Sequence, residues 1–241
     1  MIKKSFVYEK VIPLIQEKGK QIDVLLLRSL FEDVEKEIVE ELRQYQNDDF
    51  GFGHALEPDI RMPNSCVAAT DHGLVILEQI KNESVKEKLI EELVEYYESV
   101  YNQELKRFVM TTKEVEDYPH AIWWTYKDVL KNFSFGNPDP EVIGFLYQNR
   151  KHLKKLNINR LINSVVDYVK TDAFKVSGMH HILSVLHFYK RVDKDVQNLI
   201  KDRLIEVIDY ESTIEHTKLN LLKLKLVIIS SLYLYIILEK I

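Results

Sequence analysis

The chain has 241 residues, of which 46% are hydrophobic and 29% are charged, with only 7 glycines and 6 prolines. This composition is typical of a compact, mainly helical protein with a sizeable core, and it excludes an intrinsically disordered chain. The formal net charge of −5 gives no general attraction to nucleic acid or acidic lipid. The single cysteine, Cys66, excludes an intrachain disulfide and a multi-cysteine zinc site, so we expect a cytoplasmic location.

Membrane insertion is not expected from the sequence. The most apolar stretch, residues 226–238, is shorter than the roughly 20 residues that a membrane-spanning helix needs. Ser230 and Ser231 interrupt it, so a buried core helix is the better interpretation. The N-terminus lacks the apolar run and small-residue cleavage site of a signal peptide.

Apolar residues recur at three- and four-residue spacing through most of the chain, which predicts an all-α fold. Asp23, Asn64 or Ser65, and Ser84 are the candidate N-caps. Helices are predicted at residues 6–18, 24–45, 66–80, 84–101, 140–152, 158–171, 178–192, 194–209 and 214–240. Loops are predicted at 46–64, 102–126 and 132–139, with a short β-prone segment at 107–112.

The predicted helices come in pairs, one apolar and rich in small residues and one charged on its outer face. The pairs repeat at a spacing of about 45–50 residues, which is typical of stacked or ring-closed helical hairpins. No segment has the composition of a linker, so we predict one domain over residues 1–241.

The 46–64 loop is the most polar interruption of the helical pattern, and it is where function is expected first. Asp48 and Asp49 precede its glycines. One interpretation is that an aspartate stabilises the turn through the backbone. The other is an acid or a ligand for Mg²⁺, which prefers oxygen donors.

The second half of this loop has the densest group of ionisable side chains, His54, Glu57, Asp59 and Arg61. Glu57 or Asp59 with Arg61 would form a structural ion pair. Alternatively, His54 and one carboxylate would form a general acid–base pair.

Further candidates lie outside the loop. Asp71 and His72 occupy an apolar, small-residue helix, so each must face a cavity, reach solvent or find a partner. His120, Trp123 and Trp124 follow a proline turn. They are either core and hydrogen-bonded struts or the lining of an apolar pocket that stabilises a cation through its π faces.

The remaining histidines do not define a metal site. His180 and His181 are adjacent, so on a helix they point about 100° apart. Neither forms the i, i+4 pair of helical zinc sites with His187. His180 is kept as a candidate for ligand binding.

Residues 45–53, Tyr-Gln-Asn-Asp-Asp-Phe-Gly-Phe-Gly, resemble the Gln-x-x-Asp-Gly-Gly-Trp/Phe repeat of the terpenoid cyclase and protein prenyltransferase superfamily. The resemblance extends to a bacterial branch of that superfamily. It is carried there by residues 54–61, 65–77, 119–124, 137–146 and 179–180. It implies an α/α toroid, in which inner and outer helices alternate around a central cavity.

Several features depart from that superfamily. Phe50 occupies the position of the first glycine of the repeat. The Asp-x-Asp-Asp acid of the cyclases is absent, and Cys66 lacks the preceding aspartate of the prenyltransferase zinc ligands. No closing repeat occurs over 210–241, so the ring is expected to be incomplete there. The resemblance therefore supports the fold better than either chemistry.

Two functions follow from these observations. The first is a cavity that binds or transforms a hydrophobic small molecule, such as an isoprenoid, by acid–base or cation-stabilising chemistry. Its candidate catalytic residues are Asp49, His54 and Asp59. Its candidate binding residues are Glu57, Arg61, Asp71, His72, His120, Trp123, Trp124 and His180. The second is a non-catalytic helical-repeat module that binds a peptide or a protein partner, which the missing catalytic motifs favour.

Overall fold

The computed structural model describes residues 4–127, 130 and 135–221, and these form an all-α fold with a short two-stranded sheet. The α-helices are α1 (Lys4–Phe6), α2 (Ile12–Lys18), α3 (Gln21–Arg28), α4 (Glu35–Leu42), α5 (Val67–Leu77), α6 (Glu83–Val100), α7 (Asp139–Gln148), α8 (Ile158–Val169), α9 (Asp172–Lys175), α10 (Met179–Arg191) and α11 (Lys194–Leu221). A π-helical turn covers Val7–Val11, and 3₁₀ turns cover Arg43–Tyr45, Lys113–Asp117, Ile122–Trp124 and Arg150–His152. Strands β1 (Tyr101–Asn102) and β2 (Arg107–Phe108) pair antiparallel.

The predicted long helix at 24–45 is wrong, because the chain breaks between α3 and α4. The Ser29 hydroxyl donates to the Leu26 carbonyl at 2.7 Å, a local bond that competes with the helical ladder. Val34 then leaves helical geometry with φ −127° and ψ 23°. The apolar spacing continues across the break because Val34 and Ile38 are both buried in the same core.

The prediction of separate helices at 194–209 and 214–240 is also wrong, since α11 runs without a break to Leu221. Residues 222–241, with the apolar stretch predicted as a core helix, lie outside the described residues. So do residues 132–134 of the predicted 132–139 loop. None of the helices in the described part of the chain is both long and apolar enough to cross a membrane.

The helix caps differ from those predicted. Asn82 is the N-cap of α6, and its side chain accepts a hydrogen bond from the Ser84 amide. Cys66 occupies the N-cap position of α5 without a side-chain bond. Ser65 instead donates its hydroxyl to Asp49 Oδ1 at 2.6 Å. The candidate cap of α5 is thus used to fix the loop that precedes it.

The central core lies between the middle helices. Helix α10 packs against α7, which also contacts α8. Gly144 allows the close approach of α7 and α10, since a Cβ there would lie 3.0 Å from the Phe188 Cα. Tyr97 of α6 is fully buried and makes edge contacts with Phe108 and Phe145 at centroid distances of 5.7 and 5.9 Å. The aromatic contacts therefore join α6, β2 and α7.

The 46–64 loop is anchored on α5 by Phe52. The Phe52 side chain is fully buried, and its ring packs against Gly73. Its backbone amide donates to Thr70 Oγ1 at 2.9 Å, and its carbonyl accepts from the Cys66 amide at 3.1 Å. The aromatic residue of the motif therefore fixes the loop to the helix that carries Asp71 and His72.

Phe50 has a backbone conformation that usually favours glycine, with φ 69°. A residue with a Cβ is strained in this left-handed region. Phe50 nevertheless adopts this conformation in the turn before Gly51. The toroidal arrangement and the single domain over 1–241 stay predictions.

Gly73→Ala is expected to destabilise the protein. The added Cβ would lie 2.4 Å from Phe52 Cδ2, and overpacking of this kind costs about 1–3 kcal/mol. Alanine is favoured over glycine in a helix by about 1 kcal/mol, so a net loss of unfolding free energy shows that the clash dominates. Chemical denaturation measures it, with exposed Asn163→Ala on α8 as the helical control. A Gly73→Ala protein more stable than the wild type would contradict the packing described.

Candidate functional site

A cleft with a volume of about 610 Å³ opens beside α5. This size is within the range of small-molecule sites. The floor comes from α5, and the walls come from the 46–64 loop, the 102–126 region and the N-terminal ends of α7 and α10. The lining residues are Glu57, Asp59, Ala68, Asp71, His72, Val75, Met110, Trp123, Trp124, Asn137 and His180.

Seven residues singled out from the sequence come together in this cleft. They are Glu57, Asp59, Asp71, His72, Trp123, Trp124 and His180. The cleft is also lined by residues that were not predicted as site residues, among them Val75, Met110 and Asn137. Val75 follows Asp71 by one helical turn, and this spacing could have indicated it. Met110 and Asn137 lie in irregular segments whose approach to α5 leaves no pattern in the sequence.

Asp49 and His54 lie apart from the residues that line the cleft. Asp49 Oδ1 accepts hydrogen bonds from the Gly51 amide at 3.0 Å and from the Ser65 hydroxyl at 2.6 Å. His54 is exposed, and its Nε2 lies 2.9 Å from Asn47 Oδ1. The observed contacts of both residues stabilise the turn.

Arg61 and His120 also lie outside the lining. Arg61 is exposed. Of the two carboxylates that the sequence suggested as its partner, Glu57 and Asp59, Glu57 pairs with His72. His120 Nδ1 lies 2.7 Å from the Tyr118 carbonyl, and its Nε2 lies 3.3 Å from Thr125 Oγ1. Both ring nitrogens of His120 are thus engaged within their own loop.

The two loops at the cleft are joined by a short backbone bridge. The Arg61 amide donates to the Pro119 carbonyl, and the Ala121 amide donates to the Asp59 carbonyl, both at 2.9 Å. These bonds place Asp59 and Trp123 on the same rim. We call this contact the loop bridge.

Glu57 and His72 form an ion pair at the cleft wall, with 3.5 Å between Glu57 Oε2 and His72 Nδ1. The side chain of Glu57 is 18% exposed and that of His72 is 42% exposed. Burial alone raises the pKa of Glu57. The hydrogen bond from His72, the Asp59 amide and the nearby charges of His72 and Lys20 outweigh burial and lower it. Glu57 is therefore held as a carboxylate.

Asp71 has the opposite environment. Its Oδ1 is shielded from solvent and has no hydrogen-bond partner among the described residues. Burial raises the pKa of Asp71 well above its ordinary value, and the charge of Glu141 raises it further, while Arg191 opposes the shift. This environment therefore favours the neutral form of Asp71.

A buried arginine lies behind the cleft. Arg191, the last residue of α10, donates through Nε to Glu78 Oε1 at 2.7 Å, and its Nη2 lies 3.4 Å from Glu141 Oε1. Glu141 also pairs with His187 Nδ1. We call Arg191, Glu78, Glu141 and His187 the arginine network. It ties α5, α7 and α10 together, and the sequence reasoning missed it because its members are far apart in the chain.

Metal binding has no support in these contacts. In the described residues, no group of three or more His, Cys, Asp or Glu side chains is arranged to hold a metal ion. The Mg²⁺ considered for the loop aspartates therefore has no assigned ligands.

Comparison of the chain with protein family models, with curated proteins and with solved structures returns no match. The superfamily resemblance therefore stays a prediction, and functional reasoning depends on the cleft itself.

Asp71→Asn is expected to change how stability depends on pH. The pKa of Asp71 is raised in the folded state, so the folded chain holds the proton more tightly than the unfolded chain. The unfolding free energy of the wild type therefore loses stabilisation as the pH rises above 3.8, the ordinary pKa of this group. Asparagine stays neutral, so the variant lacks this loss.

Denaturation curves between about pH 4 and pH 8 measure the difference. We expect the stability of Asp71→Asn relative to the wild type to increase over this range by about 1 kcal/mol or more. Asp59→Asn, which removes an exposed carboxylate from the rim, is the control and is expected to change stability by less than about 0.5 kcal/mol. Parallel curves for Asp71→Asn and the wild type would show that Asp71 is not held protonated.

Proposed function

We propose that the protein is an enzyme that binds a small organic molecule with an apolar body and acts on it by general acid–base catalysis. One observation carries the proposal: Glu57 and Asp71 line the same cleft and have pKa values shifted in opposite directions. Environments that separate the pKa values of two carboxyl groups divide the roles of acid and base between them.

Asp71 is the general acid in this proposal. A neutral carboxylic acid in a shielded position can donate its proton to a group that gains negative charge in the transition state. The anion left on Asp71 would be stabilised by Arg191, whose charge already opposes the rise in its pKa.

Glu57 is the general base, and His72 is its partner. The carboxylate is ionised and lies at the cleft wall, where it can accept a proton from the ligand. The imidazole of His72, 3.5 Å away, holds the carboxylate in place and can exchange the proton with solvent. Proton transfer by such positioned groups contributes roughly 10²–10⁴-fold to a rate.

The apolar body of the ligand would contact the non-polar part of the lining. Trp123, Trp124, Val75 and Met110 provide this surface. Indole rings bury large areas with few rotatable bonds, so they bind planar or aliphatic bodies at low entropic cost.

The superfamily resemblance is compatible with this proposal at the level of the fold. The all-α architecture and the packing of Phe52, which follows the first glycine of the loop, against Gly73 of α5 support an α/α toroid-like arrangement. An isoprenoid is one class of ligand with a suitable apolar body. Similarity of fold does not determine the reaction that a protein catalyses. In this proposal, Asp71 takes the role of catalytic acid that the Asp-x-Asp-Asp run has in the cyclases, although Asp71 lies at a different position in the chain. A cytoplasmic, bacterial setting belongs to the same proposal.

A non-catalytic peptide-binding module is the second candidate. Ile122 is 77% exposed and Trp123 is 54% exposed, so the rim of the cleft presents apolar surface to solvent. Such exposed apolar patches are typical of protein interaction sites. An extended apolar peptide would cover both side chains, whereas a small molecule would cover only Trp123 and the cleft.

Intrinsic tryptophan fluorescence provides the test, because the only two tryptophans of the chain both line the cleft. A library of small organic molecules is screened for changes in emission, and the binders are incubated with the protein and analysed by mass spectrometry. We expect turnover of at least one binder. Asp71→Asn and Glu57→Gln are expected to reduce it by about 10²–10⁴-fold.

Asp167→Asn is the matched control, since it makes the same kind of change at an exposed position on α8. Its turnover should equal that of the wild type. Full turnover in Asp71→Asn would refute the acid role. Emission that responds to apolar peptides and to none of the small molecules would favour the second candidate.

A further inference from the structure

The described part of the cleft lining is acidic. It contains three carboxyl groups, those of Glu57, Asp59 and Asp71, and two imidazoles, those of His72 and His180. No lysine or arginine occurs among these described lining residues. Burial favours the neutral form of Asp71, so the charges of Glu57 and Asp59 are the ones that would repel an anionic ligand.

Two cations close to the cleft, Lys20 and Arg191, are engaged by protein groups, and Arg61 is exposed and lies outside the described lining. Lys20 Nζ donates to the carbonyl of Ala55 and to that of Leu56, the latter at 3.1 Å. Arg191 is shared between Glu78 and Glu141. Neither cation is therefore available to bind an anionic ligand.

The hydrogen-bonding groups of the cleft lining also favour a ligand without negative charge. An ionised carboxylate such as Glu57 only accepts hydrogen bonds. Oδ1 of Asp71 is shielded and has no partner in the described structure. The described side-chain donors of the lining are limited to the protonated form of Asp71, Asn137, the imidazoles and the indole groups. A ligand that brings several donors and no acceptor fits this balance better than a polyol, which needs donors from the protein as well.

The aromatic side of the cleft also suits a cation. Trp123 lies in the 3₁₀ turn Ile122–Trp124 and is more than half exposed at the rim. The face of an indole ring carries negative electrostatic potential and attracts ammonium groups within about 6 Å of its centre. The loop bridge holds this ring and Asp59 on the same rim.

We propose that the ligand of the cleft is a protonated amine with an apolar or aromatic body. The ammonium group pairs with Asp59 and with Glu57, which it shares with His72, and the body lies against Trp123 and Trp124. An ammonium group supplies three N–H donors and no acceptor. This inference rests on the proposed function for the location of the site, and it adds the chemical class of the ligand.

Three probes with one ring and different head groups test the inference: benzylamine, benzyl alcohol and benzoate. Each is titrated into the full-length protein at neutral pH, with tryptophan emission as the readout. We expect benzylamine to bind at least about tenfold more tightly than the other two, and its affinity to fall with added salt. Equal or tighter binding of benzyl alcohol or benzoate would overturn the inference.

Variants separate the head group from the body. Glu57→Gln and Asp59→Asn are each expected to weaken benzylamine binding several-fold and to leave benzyl alcohol binding unchanged, while Asp167→Asn changes neither. Circular dichroism of each variant checks that it is folded. Unchanged benzylamine affinity in both rim variants would contradict the assigned position of the ammonium group.

The outcomes distinguish this inference from the proposed function. A cleft that takes benzyl alcohol as well as benzylamine removes the preference for amines and leaves the acid–base proposal in place. Emission that responds to none of the three probes overturns the amine inference alone, because the acid–base proposal is tested by turnover of the wider library of small molecules.

Discussion

The buried charge of Arg191 is the constraint on which the rest of the site depends. A guanidinium cannot lose its proton in a protein, so it must be matched by carboxylates wherever it is buried. Glu78 at the end of α5 and Glu141 in α7 provide this match. Removing one member of a buried ion pair typically costs about 3–5 kcal/mol. The three helices are thereby held in fixed positions, and the floor of the cleft is held with them.

The same network sets the electrostatics of the cleft. Glu141 lies near enough to Asp71 to favour its neutral form, and Arg191 opposes that effect. Glu141 therefore influences the protonation of Asp71, although Glu141 is not among the residues that line the cleft. At the wall of the cleft, the imidazole of His72 has the opposite effect, because it lowers the pKa of Glu57. The pKa values of two carboxyl groups in one cleft thus shift in opposite directions, because burial, reinforced by Glu141, dominates at Asp71 and the partners of Glu57 outweigh burial there.

Much of the architecture could be predicted from the sequence, because helical periodicity is a local signal. Helices α8 and α10 lie close to the predicted ranges 158–171 and 178–192. Polar residues in an apolar helix were an informative signal, since Asp71 and His72 both line the cleft. The break between α3 and α4 was missed because buried residues continue the periodic pattern across it. The arginine network was missed because contacts between residues more than 100 positions apart, such as Glu78 and Arg191, leave no spacing in the sequence.

The loop bridge has a consequence for how the site can change over evolutionary time. Its hydrogen bonds join only main-chain atoms of residues 59–61 and 119–121. The side chains of Asp59 and Trp123 are therefore not needed to hold the two loops together. Either can be replaced without loss of the backbone scaffold at the rim. In the proposed site, ligand preference would thus depend on side-chain atoms and the join between the loops on main-chain atoms, which would allow selection to alter the first while the second is preserved.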